Sequence, residues 1–510
     1  MGKYLVGIDE GTTGCKTCIF DFEGTMVGTD YREYPCYYPG PGMVEQKSED
    51  ITPALFASCK AAIEGSGIDP KDIVAIGLSS QAGPVGLLDE NGDMIRDWIG
   101  WQDVRAQKTE CDEILSKIPH DEYYAITGDP LGFTLEAARL IWLKNHEPEN
   151  WKKAKLISTM QDYFLKEFGA DGYYTDLSSA SRASSCDVNN HCWSKRMLND
   201  VFEMRLDQRA ELTTECGRVV GHISEEMSKK TGLPVGCNIC VGAHDQNCCS
   251  FGGGAVDDGT AVMVIGTFGS CFVVSDTPIR DPAKKLIVKG NHGVGNWTIE
   301  AFSNTAASSF RWYRDTLGDL EVLKGKETGE DPYNIMTATM DKDSVPGSNG
   351  VTFLPFLQGA AGARSNANAK GTFLGMSLGT KKADMARSVL EGICFEMADI
   401  VFAEEAADIE VKAVRLTGGA AKSPFWCQML SDILQKPVLL LQTSETGCLG
   451  AALYAGIGSG IYKDAHDAVD RAVKVSKQFD PNPANAAAYK EAFDVWCAAY
   501  EALNGRFYKA

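Results

Sequence analysis

Two short segments constrain the fold of this 510-residue chain more than any others. The first, VGIDEGTTGCKTCIFD at residues 6–21, runs apolar to Asp9, turns through Gly-Thr-Thr-Gly and runs apolar again to Asp21. The second, GTAVMVIGTFGSCFVVSD at residues 259–276, does the same around Gly-Thr-Phe-Gly. Each reads as two antiparallel strands joined by a tight turn. Glycine permits positive φ and lets backbone N–H groups approach an anion, and the hydroxyls can donate to phosphoryl oxygens. The echo is too weak to count as a sequence repeat, but it suits a phosphate chain gripped from two sides. Alone, each turn is equally a plain Thr-Gly hairpin. Two domains are expected, because single cores rarely grow past ~250–300 residues.

The intervening pattern is α/β. After a third strand, SEDITPALFASCKAAIEGSGI reads as a helix capped by Ser48, with Pro53 in its first turn and Gly65 and Gly67 closing it. IVAIGLSSQ reads as a buried strand ending on Ser79, Ser80 and Gln81. The charged, glycine-rich GDLEVLKGKETGEDPYN is placed at the surface, and KKADMARSVLEGICFEMADIVFAEEAA is a long amphipathic helix. VKAVRLTGGAAKSPFWCQMLSDILQKPVLLL reads as strand, Gly-Gly turn, helix and strand, and the tail from Asn482 to Ala510 as a closing helix.

Charge narrows the function. With 49 Lys and Arg against 69 Asp and Glu, the formal charge is -20. That disfavours a nucleic-acid partner, which needs concentrated cations, yet leaves a small anionic ligand open. No apolar stretch approaches the ~20 residues that span a bilayer, so no membrane association and a cytoplasmic protein are expected. The seventeen cysteines then read as reduced thiols, with Cys18, Cys394 and Cys497 filling core space. Cys237 and Cys240 have the spacing of two zinc ligands, but Cys248-Cys249 is no second CxxC and zinc is not expected.

Three groups of residues carry candidate chemistry. Asp9 cannot hold phosphate directly, because like charges repel; it can hold Mg2+ or a water on it. Asp245, in VGAHDQNCCSFGGG, sits between an apolar strand and a glycine-rich helix start. It is a candidate base for an acceptor hydroxyl, or simply the N-cap of that helix. In GWQDVRA, Asp103 and Arg105 could bind vicinal hydroxyls or form a surface ion pair. No GxxxxGK[ST] loop and no Rossmann glycine triplet is present, so a nucleotide would bind another way.

With these residues in hand, the chain resembles the FGGY family of carbohydrate kinases throughout its length. The most specific motif is LTGGAAKSPFWCQMLSDILQKPV at residues 416–438, where Ser423, Gln428, Asp432 and Pro437-Val438 recur at the family's spacing. FTLEAARLIWLKNHEPE resembles the other signature, with Arg139 where a lysine is usual. The resemblance implies an α/β fold of two actin-like (ribonuclease H-like) domains with a central cleft. Residues 1–248 would mainly bind sugar and residues 249–510 mainly ATP. Adenosine would lie near Gly418, Gly419 and Ala420. The phosphates would lie between Gly11, Thr12, Thr13 and Lys16 on one side and Gly266 and Thr267 on the other. Asp9 resembles the Mg2+-side acid and Asp245 the catalytic base. Gln81, Trp101, Asp103, Asp245 and Gln246 would bind the acceptor.

The acceptor side departs from familiar members. Xylulose kinases commonly carry Gly-Gln-Met-His where this chain has Ser80, Gln81, Ala82 and Gly83, and the Arg-Glu pair of glycerol kinases is absent too. Ala360 and Ala361 stand where the family often has Glu-Arg. The implied activity is ATP-dependent phosphorylation of a small sugar or polyol, xylulose-like in general pattern, with erythritol, gluconate, ribulose or glycerol as alternatives. Family members are often homodimers, so that assembly is the one to look for. A non-catalytic actin-like nucleotide switch is the competing class. It needs no acceptor site, and Gln81, Asp103 and the Asp245-Gln246 pair argue against it.

Overall fold

A computed structural model describes residues 3–257, 259–281, 286–291 and 297–509. The chain divides into two compact units. One comprises residues 1–257, 274–299 and 445–474; the other comprises 258–273, 300–444 and 475–510.

The first unit is built on a six-stranded mixed sheet. Strands β1 (Tyr4–Glu10), β2 (Gly14–Asp21) and β3 (Met26–Glu33) form the expected meander. Helix α1 (Ser48–Ser66) then returns the chain so that β4 (Ile73–Ser80) pairs parallel with β1. Later come β5 (Val219–His222) and β6 (Asn238–His244), giving the order β5-β6-β4-β1-β2-β3. Ile51, Leu55, Cys59, Ala62 and Ile63 recur at helical spacing and bury one face of α1 against the sheet. The start of α1 differs from expectation. Lys47 takes the cap position with no side-chain bond, and the Ser48 hydroxyl accepts from Trp98 Nε1 at 2.8 Å instead. Pro53 falls in the second turn, where its missing N–H leaves the Glu49 carbonyl without a helical partner. Gly65 stays helical and Gly67, at φ 72°, ends the helix.

The helix Thr446–Gly458 belongs to this unit and is rich in Gly and Ala. These small residues permit backbone contact. A Cβ on Gly7 would lie 1.8 Å from the Cys448 carbonyl oxygen, and one on Gly77 would lie 2.0 Å from that of Ala451. On the helix itself, a Cβ on Gly450 would meet the Cys248 carbonyl oxygen at 2.0 Å. No branched side chain fits at such distances.

The second unit repeats the plan. Strand β7 (Gly259–Ile265) pairs antiparallel with β8 (Gly269–Ser275) and parallel with β9 (Val411–Thr417). β10 (Val438–Leu441) and β11 (Val475–Phe479) continue the sheet beyond β9. The long helix Lys382–Ala406 and the helix Pro424–Leu434 form as expected, and the closing helix is Pro483–Leu503. The charged passage is exposed but helical, as Asp319–Thr328 and Pro332–Asp343. The late motif's polar residues brace this unit. Ser423 caps Pro424–Leu434, and buried Asp432 accepts from Gln428, from Asn482 N and from Asn485.

All seventeen cysteines are free thiols. Cys18 and Cys394 are buried, whereas Cys497 is half-buried beneath Arg364. Among the described residues no helix is long and apolar enough to cross a membrane.

Candidate active site

The predicted site residues fall into two groups, one in each unit. In the first unit, register does the positioning. The hairpin sets Asp9 opposite Lys16, and the parallel pairing with β4 sets Asp9 beside Ser79. Ser79 Oγ donates to Asp9 Oδ1 at 2.6 Å. Burial pushes the Asp9 carboxyl up to about 7. The Ser79 hydrogen bond pulls it down, while the Asp245 and Glu445 charges push it up again. Lys16 Nζ pairs with Glu445 Oε2 at 2.8 Å. The charges of Asp245 and Glu445 are thus felt at Asp9, while Lys16 is paired with Glu445, an arrangement that favours a cation beside Asp9. Among the described residues no three His, Cys, Asp or Glu side chains converge as a ready-made metal cage. A hard divalent ion held by one carboxylate plus water and phosphate oxygens fits that chemistry.

The Gly-Thr-Thr turn is held from behind. Gly11 N–H donates to Gly14 O at 3.0 Å, and Gln46 Nε2 donates to Thr12 O at 2.9 Å. Trp101 Nε1 donates to Thr12 Oγ1 at 2.8 Å, which leaves the Thr12 O–H available to donate onward. Beneath the turn, Glu10 is wholly buried. Its Oε1 accepts from Gln81 Nε2 at 2.7 Å and Tyr34 Oη at 3.0 Å. Burial pushes Glu10 up to about 8, against the pull of those hydrogen bonds. Glu10 carries no sequence signal of its own, because it lies in an apolar strand and its partners come from distant segments.

Gln81 reaches the turn both through Glu10 and directly, its Nε2 donating to Gly11 O at 3.2 Å, and Trp101 reaches it through Thr12. Asp103 is placed differently, with no exposed surface. Its Oδ1 accepts from Arg105 N and Nε, both at 2.9 Å, and its Oδ2 from Val44 N at 2.6 Å. Arg105 in turn donates to Glu45 Oε1 at 2.7 Å. The pair is internal rather than on the surface, and it anchors the loop that carries Trp101. Arg139, also buried, donates to Gly83 O at 2.7 Å and Trp101 O at 3.3 Å, tying the loops at Gly83 and Trp101 together. Burial lowers its guanidinium to about 10.

Asp245 opens the helix Asp245–Gly252 at the end of β6, where His244, not Asp245, takes the cap position. Its side chain is 27% exposed. Burial pushes its carboxyl up, but His244, the Gln246 N–H and Lys289 outweigh that and hold it below the usual range. An ionised carboxylate with an open face can take a proton.

In the second unit the Gly266-Thr267 turn and the Gly418-Gly419 turn lie back to back. Gly418 has φ 88°, and a Cβ there would meet Ile265 O at 2.6 Å and Gly266 N at 3.2 Å. Ser308 Oγ donates to Thr267 O at 2.8 Å and Ala307 N to Gly266 O at 2.8 Å. Gly419 lines a cavity of about 300 Å³ with Phe310, Tyr333, Asn334, Lys422 and Trp426, while Ala420 is buried behind it. An apolar, aromatic pocket with a few polar groups suits a planar heterocycle. A wider groove of about 740 Å³ in the first unit, between Lys47, Arg96 and Glu167, contains none of the predicted residues.

Two mixed-sheet α/β units with paired glycine-hydroxyl hairpins, a buried acid beside the first turn and a candidate base fit the class of ATP-dependent kinases acting on a small hydroxylated substrate. The model of the FGGY family of carbohydrate kinases, N-terminal domain, matches residues 4–252, and that of the C-terminal domain matches residues 261–459. The chain belongs to that family. It is 27% identical to a gluconokinase of Bacillus subtilis over 99% of this chain and 97% of that one. It is 28% identical to a xylulose kinase of Staphylococcus epidermidis over 98% and 97%. The crystal structure of a ligand-bound xylulose kinase from Lactobacillus acidophilus superposes with a TM-score of 0.90 at 25% identity, covering 99% of both chains.

Proposed function

We propose that this kinase phosphorylates a xylulose-like pentulose or a related small polyol or sugar acid on a primary hydroxyl, with Asp245 as base. The acceptor oxygen bonds to the γ-phosphorus as the bond from that phosphorus to the ADP bridging oxygen breaks. ADP leaves with the electron pair, and the hydroxyl proton passes to Asp245. Thr12, Thr13 and Thr267 donate to phosphoryl oxygens, with Gly11 and Gly266 leaving room for them. Adenine occupies the cavity at Gly419, with Gly418 and Ala420 shaping its wall. Asp9 would hold Mg2+, whose chemistry when bound is to offset phosphate charge. Lys16 balances Glu445 beside it. Gln81, Trp101 and Gln246 face the acceptor, and Asp103 holds that side in shape. In this reading residues 1–248 serve mainly the acceptor and residues 249–510 mainly ATP, and the protein works as a cytoplasmic homodimer.

The observation that carries the reading is the partly exposed, ionised Asp245 in the same neighbourhood as Asp9. The relatives named xylulose kinase and gluconokinase support acceptors of five or six carbons. The test is coupled ADP release with xylulose, ribulose, gluconate, erythritol and glycerol. Stimulation by one of these, lost in Asp245→Asn with ATP binding retained, is the expected result. Sugar-independent turnover across the whole panel would overturn the reading.

A further inference from the structure

The two oxygens of Asp245 are not equivalent. Oδ1 accepts from Gln246 N at 2.7 Å and from His244 Nε2 at 2.8 Å, while Oδ2 accepts from nothing among the described residues. His244 is itself buried. Its backbone N–H donates to Ser178 Oγ at 3.0 Å, and its Nδ1 lies 3.3 Å from Nζ of buried Lys289. An ammonium carries only donors, so Nδ1 is the acceptor there. With Nδ1 accepting, the ring N–H toward Asp245 is the one on Nε2.

We infer that Lys289 and His244 form a positioning relay for Asp245, in which Lys289 fixes the imidazole tautomer and His244 fixes which carboxylate oxygen receives the acceptor's proton. The inference rests on Asp245 being the base, as proposed above. With Oδ1 held by two donors, the carboxylate cannot turn about its Cβ–Cγ bond without breaking both. Oδ2 therefore stays presented to the acceptor hydroxyl. During transfer the hydroxyl proton goes to Oδ2 as the oxygen–phosphorus bond forms and ADP departs with its electron pair. His244 keeps its own proton and touches neither substrate. Neither His244 nor Lys289 is a candidate on sequence grounds, since the histidine ends an apolar strand and the lysine lies 45 residues away.

The test uses the full-length protein with ATP and the best acceptor of the panel above. His244→Leu is expected to lower kcat about 10- to 100-fold, the scale of a misplaced catalytic group, with KM for ATP and acceptor nearly unchanged. His244→Gln, whose amide N–H can still reach Oδ1, is expected to recover most of that loss. Lys289→Met should lower kcat in the same direction by a smaller factor. Wild-type kcat in a folded His244→Leu variant overturns the relay, as does a change confined to acceptor KM. Failure of a folded His244→Gln variant to recover turnover also overturns it. If His244→Leu does not fold, the Gln and Lys289→Met variants carry the test. Asp245→Asn, measured alongside, separates the two ideas: its retaining turnover would remove the base itself, whatever the His244 variants do.

Discussion

Ser79 Oγ donates to Asp9 Oδ1 at 2.6 Å, across the parallel pairing of β1 with β4. That bond fixes the orientation of an acid which burial and two neighbouring carboxylates push up to about 7. Asp9 in the folded protein thus keeps its proton to higher pH than in the unfolded chain. Between about pH 4 and 7 Asp9 binds more proton in the folded state, so its contribution to stability falls as pH rises through this window and levels off above it. Glu10, raised to about 8, adds to the same slope, so Asp9→Asn should reduce it by up to about 1.4 kcal/mol per pH unit, the share of one bound proton. Denaturation of both proteins at pH 5 and pH 8, without Mg2+, reads the difference. Parallel behaviour would show that Asp9 does not titrate in this window. In turnover assays at limiting Mg2+, activity should climb through about pH 7, and Ser79→Ala should move that limb upward.

Trp101, proposed to face the acceptor, is linked to the Gly-Thr-Thr turn through one hydrogen bond, from Nε1 to Thr12 Oγ1. Trp101→Phe keeps an aromatic ring and removes only that donor. With a net hydrogen bond worth about 1 kcal/mol, kcat should fall roughly five-fold, with little change in melting temperature. Thr12→Val should cost more, because it also removes the hydroxyl proposed to donate to a phosphoryl oxygen. An effect of Trp101→Phe on acceptor KM alone would mean that the indole serves the acceptor and not the turn.

Much of this arrangement is legible in the sequence because it is local. A Gly-Thr turn between two apolar runs specifies a hairpin, and a Gly-Gly turn after VKAVRLT specifies where a strand gives way to a helix. What stays hidden depends on distant partners. Glu10 cannot be recognised as the buried support of the Gly-Thr-Thr turn, since Tyr34 and Gln81 lie 24 and 71 residues away. Asp103 and Arg105 read as a pair, but Glu45, 60 residues upstream of Arg105, makes the pair an internal anchor. The 446–458 helix escapes a sequence reading for a related reason. Small residues mark loops and close packing alike, and only the facing glycines tell them apart.

Those facing glycines make a sharp prediction about stability. Gly7 lies at backbone distance from Cys448, so a methyl group there would occupy the carbonyl oxygen's place. Neither neighbour is a flexible side chain that can swing aside. Gly7→Ala should therefore cost at least about 1–3 kcal/mol and lower the yield of folded protein. Gly67→Ala, at a helix end with open space around it, carries only the cost of positive φ. Chemical denaturation of the two variants compares them, and equal losses would mean that the helix shifts to absorb the methyl.

Gly418 and Gly419 are adjacent, yet substitution should separate packing from nucleotide binding. Gly418 is held at φ 88° with its missing Cβ aimed at the Ile265 carbonyl, so Gly418→Ala strains the backbone and should destabilise the fold. The nearest atom to a Cβ on Gly419 is 3.8 Å away, and the residue borders the 300 Å³ cavity. Gly419→Leu should fold normally while its side chain fills the cavity proposed for the adenine ring. Its KM for ATP should rise by about ten-fold or more, equivalent to roughly 1.4 kcal/mol of lost binding, with acceptor KM unchanged. Thermal melting together with ATP and acceptor titrations distinguishes the two variants. A Gly419→Leu enzyme with normal ATP affinity would place the adenine elsewhere.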